Sequence, residues 1–289
     1  LLSEGLDLLK SGNLEKARET LLSIDEESSD YPSAAGLAAM CTLMLGDEAG
    51  AKQACEELLE KHPENIQALT TYCAVLGASG DGDGAKKVAG RLAELSTEAT
   101  DDLYRIATAL CETELDEPAF EKLSTLRGRL PYDETLLYFY AVSAYRTGRL
   151  DEAIDALELL TTVYPRKAVA EYYLERMREL RDGDGEAFAM TYYYRVPEDE
   201  YRTVANFLLA ATTVEEREAQ RIGELPQLNE FFRIAFDEME GRDEKLQLLA
   251  VRVADRTRSD EFLRDVLLDC TGDEFVKIGI LHALTMRNE

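Results

Sequence analysis

A small residue recurs every 34 positions along the first half of this 289-residue chain. The members of this column are Ala17, Ala51, Ala85, Ala119 and Ala153. A second column of small residues stands twelve positions earlier, at Gly5, Ala39, Cys73, Ala107 and Ala141. Two antiparallel helices approach closely only where the facing side chains are small, and a fixed period of about 20 to 50 residues is typical of solenoids. The two columns therefore predict five stacked helical hairpins.

Two further columns predict where the helices end. Five positions before each alanine of the first column stand Gly12, Gly46, Gly80, Glu114 and Gly148. Glycine readily adopts the left-handed conformation that terminates a helix, so this column ends the first helix of each hairpin. Proline cannot continue a helix, so Pro63, Pro131 and Pro165 close three of the repeats. The first repeat is irregular, because Pro32 lies three residues beyond the expected position.

Together these columns resemble the tetratricopeptide repeat, over about residues 1–182. That family has a small residue on helix A, a small residue on helix B and a proline that closes the repeat. The chain departs from the pattern at the aromatic positions, since it has no tryptophan and often carries leucine or smaller residues there. The resemblance implies a right-handed α-α superhelix whose concave face is lined mainly by helix A. Proteins of the family often bind extended peptides or helices on that face.

Beyond the repeats the chain is expected to remain helical. A polar helix from Ala168 to Leu180 is expected to cover the last repeat, and Arg181 to Gly185 indicates a domain boundary near Asp182. Further helices are predicted at 198–213, 228–239, 244–255, 260–269 and 273–286. Their spacing resembles HEAT-type hairpins, with an irregular helical bundle as the alternative. The predicted all-α organisation is a tetratricopeptide array of five repeats plus a capping helix at 1–182, and a second helical-repeat or helical-bundle domain at 183–289.

The charge of the chain limits its partners. Acidic residues number 58 against 32 basic residues, for a net charge of −26. Such a surface repels phosphate backbones and anionic lipids, so we expect no nucleic acid and no anionic membrane surface as partner. No apolar run approaches the roughly 20 residues that span a bilayer, so membrane insertion is not expected. A basic protein partner is compatible with the charge, although the acidity also serves solubility alone.

Residues that carry catalytic chemistry are scarce. His62 and His282 are the two histidines, and each is explained by a structural position at or within a helix. Two Asp-Gly-Asp-Gly strings lack the glycine and glutamate that a calcium loop requires. The five cysteines form no metal-binding spacing and are expected to be buried and reduced, in a cytoplasmic protein. They are Cys41, Cys55, Cys73, Cys111 and Cys270. We therefore predict no enzyme activity, no cofactor and no metal.

The repeat register also predicts which side chains line the concave face. It places Met40, Gln67, Thr70, Tyr104, Thr108, Tyr138, Val142 and Tyr145 inward, with Arg105 and Arg146 at the edge. Tyrosine beside arginine is typical of binding hot spots. The alternative is that the tyrosines pack between adjacent repeats or against the second domain. The lysine and asparagine clamp by which some family members hold a chaperone C-terminus is not expected, since Gly36, Met40, Thr70 and Tyr104 occupy those positions.

These observations lead to a functional hypothesis. We predict a non-catalytic interaction or scaffold module that binds a peptide or helix of a protein partner in the concave groove. The alternative is a regulatory portion of a larger enzyme or chaperone whose active domain lies outside this chain.

Overall fold

The computed structural model describes residues 1–165, 167–237, 244–268 and 274–285. Over these residues the protein has seventeen helices and no strand, which confirms the predicted all-α fold. The chain divides into two compact units, Leu1–Arg149 and Leu150–Glu289. This division falls between the two helices of the fifth repeat. The domain boundary predicted near Asp182 rests on the repeat register rather than on compactness, and it stays a prediction.

The first unit is a row of helices paired by repeat. They are α1 (Leu2–Lys10), α2 (Leu14–Leu22), α3 (Tyr31–Met44), α4 (Glu48–Lys61), α5 (Ile66–Ala78), α6 (Gly82–Glu94), α7 (Thr100–Glu112), α8 (Asp116–Arg129) and α9 (Glu134–Arg146). Odd-numbered helices are helix A of their repeat, and even-numbered ones are helix B. Consecutive helices pack together along the row, and α3, α5 and α7 also pack side by side. Pro32, which breaks the sequence pattern, lies in the first turn of α3, where proline is tolerated.

The small-residue columns lie where the two helices of a hairpin meet. A methyl group added to Gly5 would lie 2.6 Å from Cδ2 of Leu21, so α1 and α2 approach closely only because this residue has no side chain. In the third repeat, the Cys73 thiol lies 3.7 Å from the Ala85 carbonyl oxygen. The members of both columns from Ala39 to Ala141 are all buried. Close approach of the two helices at these columns is therefore present in the first and third repeats.

A shared turn joins helix A to helix B in all five repeats. The glycines adopt positive φ angles of 77° at Gly12, 87° at Gly46, 78° at Gly80 and 80° at Gly148. The amide of the following residue then donates to a carbonyl five residues earlier, at 2.7–3.1 Å. These bonds join Asn13 to Leu8, Asp47 to Thr42, Asp81 to Leu76, Leu115 to Leu110 and Arg149 to Ala144. They satisfy carbonyls that the end of a helix would otherwise leave unpaired.

Glu114 is the exception in this column and generates a prediction. It holds a φ of 56°, which costs a residue with a side chain about 1–2 kcal/mol. Replacing it with glycine or with alanine removes its ion pair with Arg146 in both cases, but only glycine relieves the backbone. We expect Glu114→Gly to be more stable than Glu114→Ala by about 1 kcal/mol. Urea denaturation of the two variants measures the difference, and equal midpoints would contradict it.

The second unit is organised around one helix. Its helices are α10 (Leu150–Val163), α11 (Ala168–Asp182), α12 (Glu198–Ala211), α13 (Glu216–Gly223), α14 (Pro226–Phe236), α15 (Glu244–Thr257), α16 (Asp260–Leu268) and α17 (Glu274–Thr285). Helix α15 packs against α12, α13, α14, α16 and α17, as a central helix does in a bundle. The predicted resemblance to HEAT hairpins stays a prediction.

Most helices of this unit follow the sequence pattern closely. Helix α13 was not predicted, because it buries only Ala219 and so presents almost no apolar stripe. Several predicted helix ends lie outside the described residues: Met239, Asp269, Asp273 and Met286.

The segment 183–197 leaves the helical path but is not an exposed linker. Gly183, at a φ of 85°, ends α11 at the predicted break. The chain then runs back along α11, where the Tyr173 hydroxyl donates to the Arg195 carbonyl at 2.9 Å and the Tyr173 ring stacks on Phe188. Its buried side chains are Met190, Tyr192, Tyr194 and Val196. The segment therefore belongs to the core of the second unit.

A carboxylate from a distant part of the chain satisfies the start of α11. The Asp237 side chain is 3% exposed. Its Oδ2 atom accepts hydrogen bonds from the Val169 amide at 2.8 Å and from the Tyr194 hydroxyl at 2.9 Å. The same hydroxyl accepts from the Ala170 amide at 3.4 Å, and the Lys167 ammonium lies 3.7 Å from Asp237 Oδ1. Free amides and the helix dipole both favour a negative charge at this position. Asp237 thus serves as the cap that Lys167, the residue before α11, does not supply.

We expect Asp237→Ala to lower the free energy of unfolding by about 2–3 kcal/mol, because it leaves two buried donors and a partly buried ammonium without their acceptor. The matched control is Glu198→Gln, which removes a carboxylate from an exposed ion pair with Arg202 and should cost no more than about 0.5 kcal/mol. Chemical denaturation of both variants measures the costs. Similar costs for the two would show that Asp237 has no special role.

Candidate partner-binding surface

Helices α3 and α5 contain no charged residue, although 31% of the chain is charged. Their apolar side chains therefore extend beyond the sides that pack against neighbouring helices. On α5, Ala74, Gly77 and Ala78 are exposed, and on α3, Met44 is 57% exposed while Met40 is half-buried. These residues are spaced three or four apart on their helices, so each set lies on one side. We call these five residues the apolar face.

Charged residues occupy the same repeat positions on the neighbouring helices. On α7, Glu112 is exposed and corresponds by the 34-residue register to Ala78 on α5, whereas exposed Asp101 corresponds to Gln67, which is not part of the apolar face. On α1, Lys10 is exposed and corresponds to Met44 on α3. An uncharged strip is therefore bordered by the Glu112 carboxylate on the α7 side and by the Lys10 ammonium on the α1 side.

A chain of hydrogen bonds links the three helices beside this face. Arg105 Nη1 on α7 donates to Gln67 Oε1 at 2.5 Å. Gln67 Nε2 donates to the Thr71 hydroxyl at 3.2 Å, and that hydroxyl donates to the Gly36 carbonyl on α3 at 3.5 Å. Gln67 and Thr71 are both buried. Two of the predicted binding residues, Gln67 and Arg105, are thus brought together, and each uses polar groups to hold the helices in place.

Gly36 allows this arrangement, and it generates a prediction. A methyl group at Gly36 would lie 2.8 Å from Gln67 Cγ and 3.2 Å from the Ala68 amide nitrogen on α5. We expect Gly36→Ala to destabilise the protein by about 1–3 kcal/mol, because the two helices must separate. Gly90 on α6 has open space around it, so the matched control Gly90→Ala should stabilise by up to about 1 kcal/mol. Thermal unfolding measures both, and a stabilised Gly36→Ala would contradict the close packing.

The remaining predicted residues of repeats two to four are half-buried. Met40 packs against the core of the first repeats, and the Thr70 hydroxyl donates to the Gln67 carbonyl at 3.0 Å. Burial raises the pKa of Tyr104, and the Asp133 carboxylate raises it further. Thr108 lies one turn further along α7 and is half-buried. These side chains can contribute an edge or a rim to a binding surface.

Repeat five differs from this pattern. Tyr138 and Val142 are both 0% exposed, so they present no surface to a partner in this structure. Tyr145 is half-buried. Arg146 lies 3.2 Å from Glu114 and 3.0 Å from Asp116, so its guanidinium holds the turn of the preceding repeat. The binding role predicted for these residues stays a prediction.

Sequence reasoning missed Met44, Ala74, Gly77 and Ala78. The signal for them was available, because Ala74 shares a repeat position with Met40 and Thr108, and Ala78 shares one with Met44. The prediction instead favoured tyrosine and arginine, because these residue types are enriched in binding hot spots. Which positions remain exposed depends on packing, which the register alone does not reveal.

The four cysteines in the described part of the chain are buried thiols of low reactivity. Cys41, Cys55, Cys73 and Cys111 are free and buried. Burial raises the pKa of Cys55 and of Cys73 from 9.0 to about 12, so both are neutral thiols near pH 7. Cys270 lies outside the described residues. In the part of the chain that the structure describes, no group of three or more His, Cys, Asp or Glu side chains is placed to hold a metal ion. None of the described helices has both the length and the hydropathy needed to cross a bilayer.

Comparison with known proteins agrees with the periodicity. Residues 37–65 match the tetratricopeptide repeat family. The chain is similar to a TPR repeat-containing protein, YvcD, of Bacillus subtilis (strain 168), with 25% identity over 177 residues. That match covers 60% of this chain and 36% of the relative, so the chain spans about a third of the length of the relative.

Solved structures of similar helical proteins cover part or nearly all of the chain. The C-terminal part of a TPR repeat-containing protein from Cytophaga hutchinsonii matches with a TM-score of 0.45 and 14% identity, over 96% of this chain and 99% of that one. YrrB, described as a TPR protein with an unusual peptide-binding site, matches with a TM-score of 0.43 and 17% identity, over 60% of this chain and 90% of that one.

Proposed function

We propose that this chain, which is a tetratricopeptide repeat protein, is a non-catalytic module that binds a peptide or helix of a protein partner on the apolar face of α3 and α5. Tetratricopeptide repeat proteins are in general protein–protein interaction modules. The single observation that carries the proposal is the pair of uncharged helices that leave apolar side chains exposed on one face.

The physical argument concerns the cost of leaving that face in water. A helix that is apolar on all sides is usually buried on all sides. Here α3 and α5 bury the sides toward helix B and toward one another, but Met44, Ala74 and Ala78 remain exposed. Burying apolar surface contributes about 25 cal/mol per Å² removed from water, and the entropy lost on association is subtracted from this gain. A partner seated on this face completes the burial, with Tyr104 and Thr108 at its edge.

The other features of the chain fit a protein partner. A net charge of −26 repels nucleic acid phosphates, so the proposed partner is a protein. Four buried free thiols fit a reducing compartment, and we place the protein in the cytoplasm. The alternative is a regulatory role within a longer enzyme or chaperone.

Site-specific cross-linking tests the proposal. A photo-reactive amino acid at Ala78 should capture a discrete partner in cells, because the position lies on the apolar face. The same amino acid at Gln53, an exposed position on α4, is the matched control and should not capture that partner. The captured protein must also bind the purified chain and bind the Ala78→Arg variant at least about tenfold more weakly. Equal capture at Ala78 and Gln53 would show that the apolar face is not the binding site. Equal affinity of the captured protein for the unmodified chain and for the Ala78→Arg variant would show the same.

A further inference from the structure

The neighbours of the apolar face limit the conformation of a segment that can bind there. An extended peptide keeps its backbone amides and carbonyls unpaired, so it needs polar groups on the surface that receives it. The side chains of Met40, Met44, Ala74 and Ala78 offer none, and Gly77 has no side chain. An α-helix pairs its own backbone groups internally, so it can lie on an apolar surface without losing hydrogen bonds.

The polar groups beside the face are already in use. The Gln67 amide accepts from Arg105 and donates to Thr71, so both of its ends are engaged. The Thr70 hydroxyl donates to the carbonyl of Gln67 on its own helix. The bonds of Gln67 and Thr71 link α7, α5 and α3, and both side chains are buried, so they are not open to an extended backbone. A helical segment does not need them.

Small residues on α5 favour close approach by a second helix. Gly77 has open space where a side chain would be, and Ala74 and Ala78 add only methyl groups. Met44 on α3 and the half-buried Met40 supply larger and adaptable apolar contacts. Neighbouring helices lie about 8–10 Å apart, so a segment that crosses α3, α5 and α7 must span roughly 20 Å. At 1.5 Å per residue, this length corresponds to a helix of about 13 residues.

The charge of the surface around the apolar face indicates which charge the polar side of the bound helix should carry. Residues 1–149 contain 27 acidic and 14 basic residues, so the unit is strongly acidic. Glu112 on α7 is exposed at the border of the face, whereas exposed Asp101 lies eleven residues earlier on α7, about 16 Å away along the helix. Arg105, also on α7, is half-buried and bonded to Gln67, and exposed Lys10 lies on the opposite border, on α1. Basic side chains on a bound helix would therefore find an acidic partner on the α7 side.

We infer that the partner segment is a basic amphipathic helix, whose apolar side packs on the apolar face and whose lysine or arginine residues lie over Glu112. This inference rests on the proposed function, because it names the class of segment that the same face binds. Apolar burial provides the affinity, and the acidic border on α7 provides orientation and selection against acidic helices.

Synthetic peptides test the inference with the purified chain. The probe is a fluorescent 14-residue amphipathic peptide of leucine, alanine and lysine. In the first control peptide, every lysine is replaced with glutamate. The second control peptide has the same composition as the lysine peptide, but its residues are reordered so that a helix would have no apolar side. We expect the lysine peptide to bind with saturation in fluorescence anisotropy and to become helical in circular dichroism. Both controls should bind at least about tenfold more weakly.

Protein variants locate the binding. Ala78→Arg should weaken the lysine peptide at least about tenfold, whereas Gln53→Arg adds the same charge to α4 and should leave binding unchanged. The variant Glu112→Gln should weaken binding about threefold and reduce its salt dependence, whereas Asp101→Asn, which lies farther from the apolar face, should have a smaller effect. Circular dichroism of each variant checks that the helices are retained.

The outcomes separate this inference from the proposed function. Three results would overturn the inference that the partner segment is a basic amphipathic helix. They are equal affinity for the second control peptide, equal affinity for the glutamate peptide, and an Ala78→Arg variant that binds the lysine peptide as tightly as the unmodified chain. A partner captured at Ala78 can also be displaced by peptides. If an extended peptide from the partner's own sequence displaces it but the lysine peptide does not, the proposed function stands and the inference falls. If no partner is captured at Ala78 beyond the Gln53 control, the proposed function itself falls.

Discussion

Close approach between the two helices of each repeat is the constraint on which the first unit depends. Leu21 occupies the space that a side chain on Gly5 would need, and the Cys73 thiol lies against the Ala85 carbonyl. A larger side chain at either column would separate the helices and leave voids in a tightly packed interior. Because each hairpin must meet its neighbour in the same way, the small residues recur at one interval, and the turn between the helices recurs with them.

That turn links backbone conformation to the rest of the repeat. The residue after the left-handed position donates to a carbonyl of helix A and then leads directly into helix B. In the second and third repeats, the Asp47 and Asp81 side chains also accept from amides in the first turn of helix B, both at 2.9 Å. In these two repeats the short turn thus satisfies two helix ends at once. Glu114 keeps this geometry despite its side chain, which pairs with Arg146.

The same packing explains why α3 and α5 carry no charge. Each of these helices touches helix B of its own repeat and helix A of the neighbouring repeats, so most of its circumference is buried. The strip that remains exposed is small and apolar, and the adjacent polar side chains bond to one another across α3, α5 and α7. A surface of this kind suits a partner that satisfies its own backbone hydrogen bonds. The apolar character of this surface thus follows from the packing between neighbouring repeats.

The 34-residue period by itself determined the four helical hairpins that lie within the first unit and the positions of the turns, because these depend on local conformation and on contacts repeated at one spacing. Tertiary structure alone decided which residues of the register reach the surface. Tyr104 and Tyr138 are equivalent in sequence, yet only Tyr104 is partly exposed, while Ala78 lies open to solvent. It also decided that Asp237 caps α11, a helix that begins 69 positions earlier in the chain. Burial and capping across such distances depend on neighbours that no local pattern identifies.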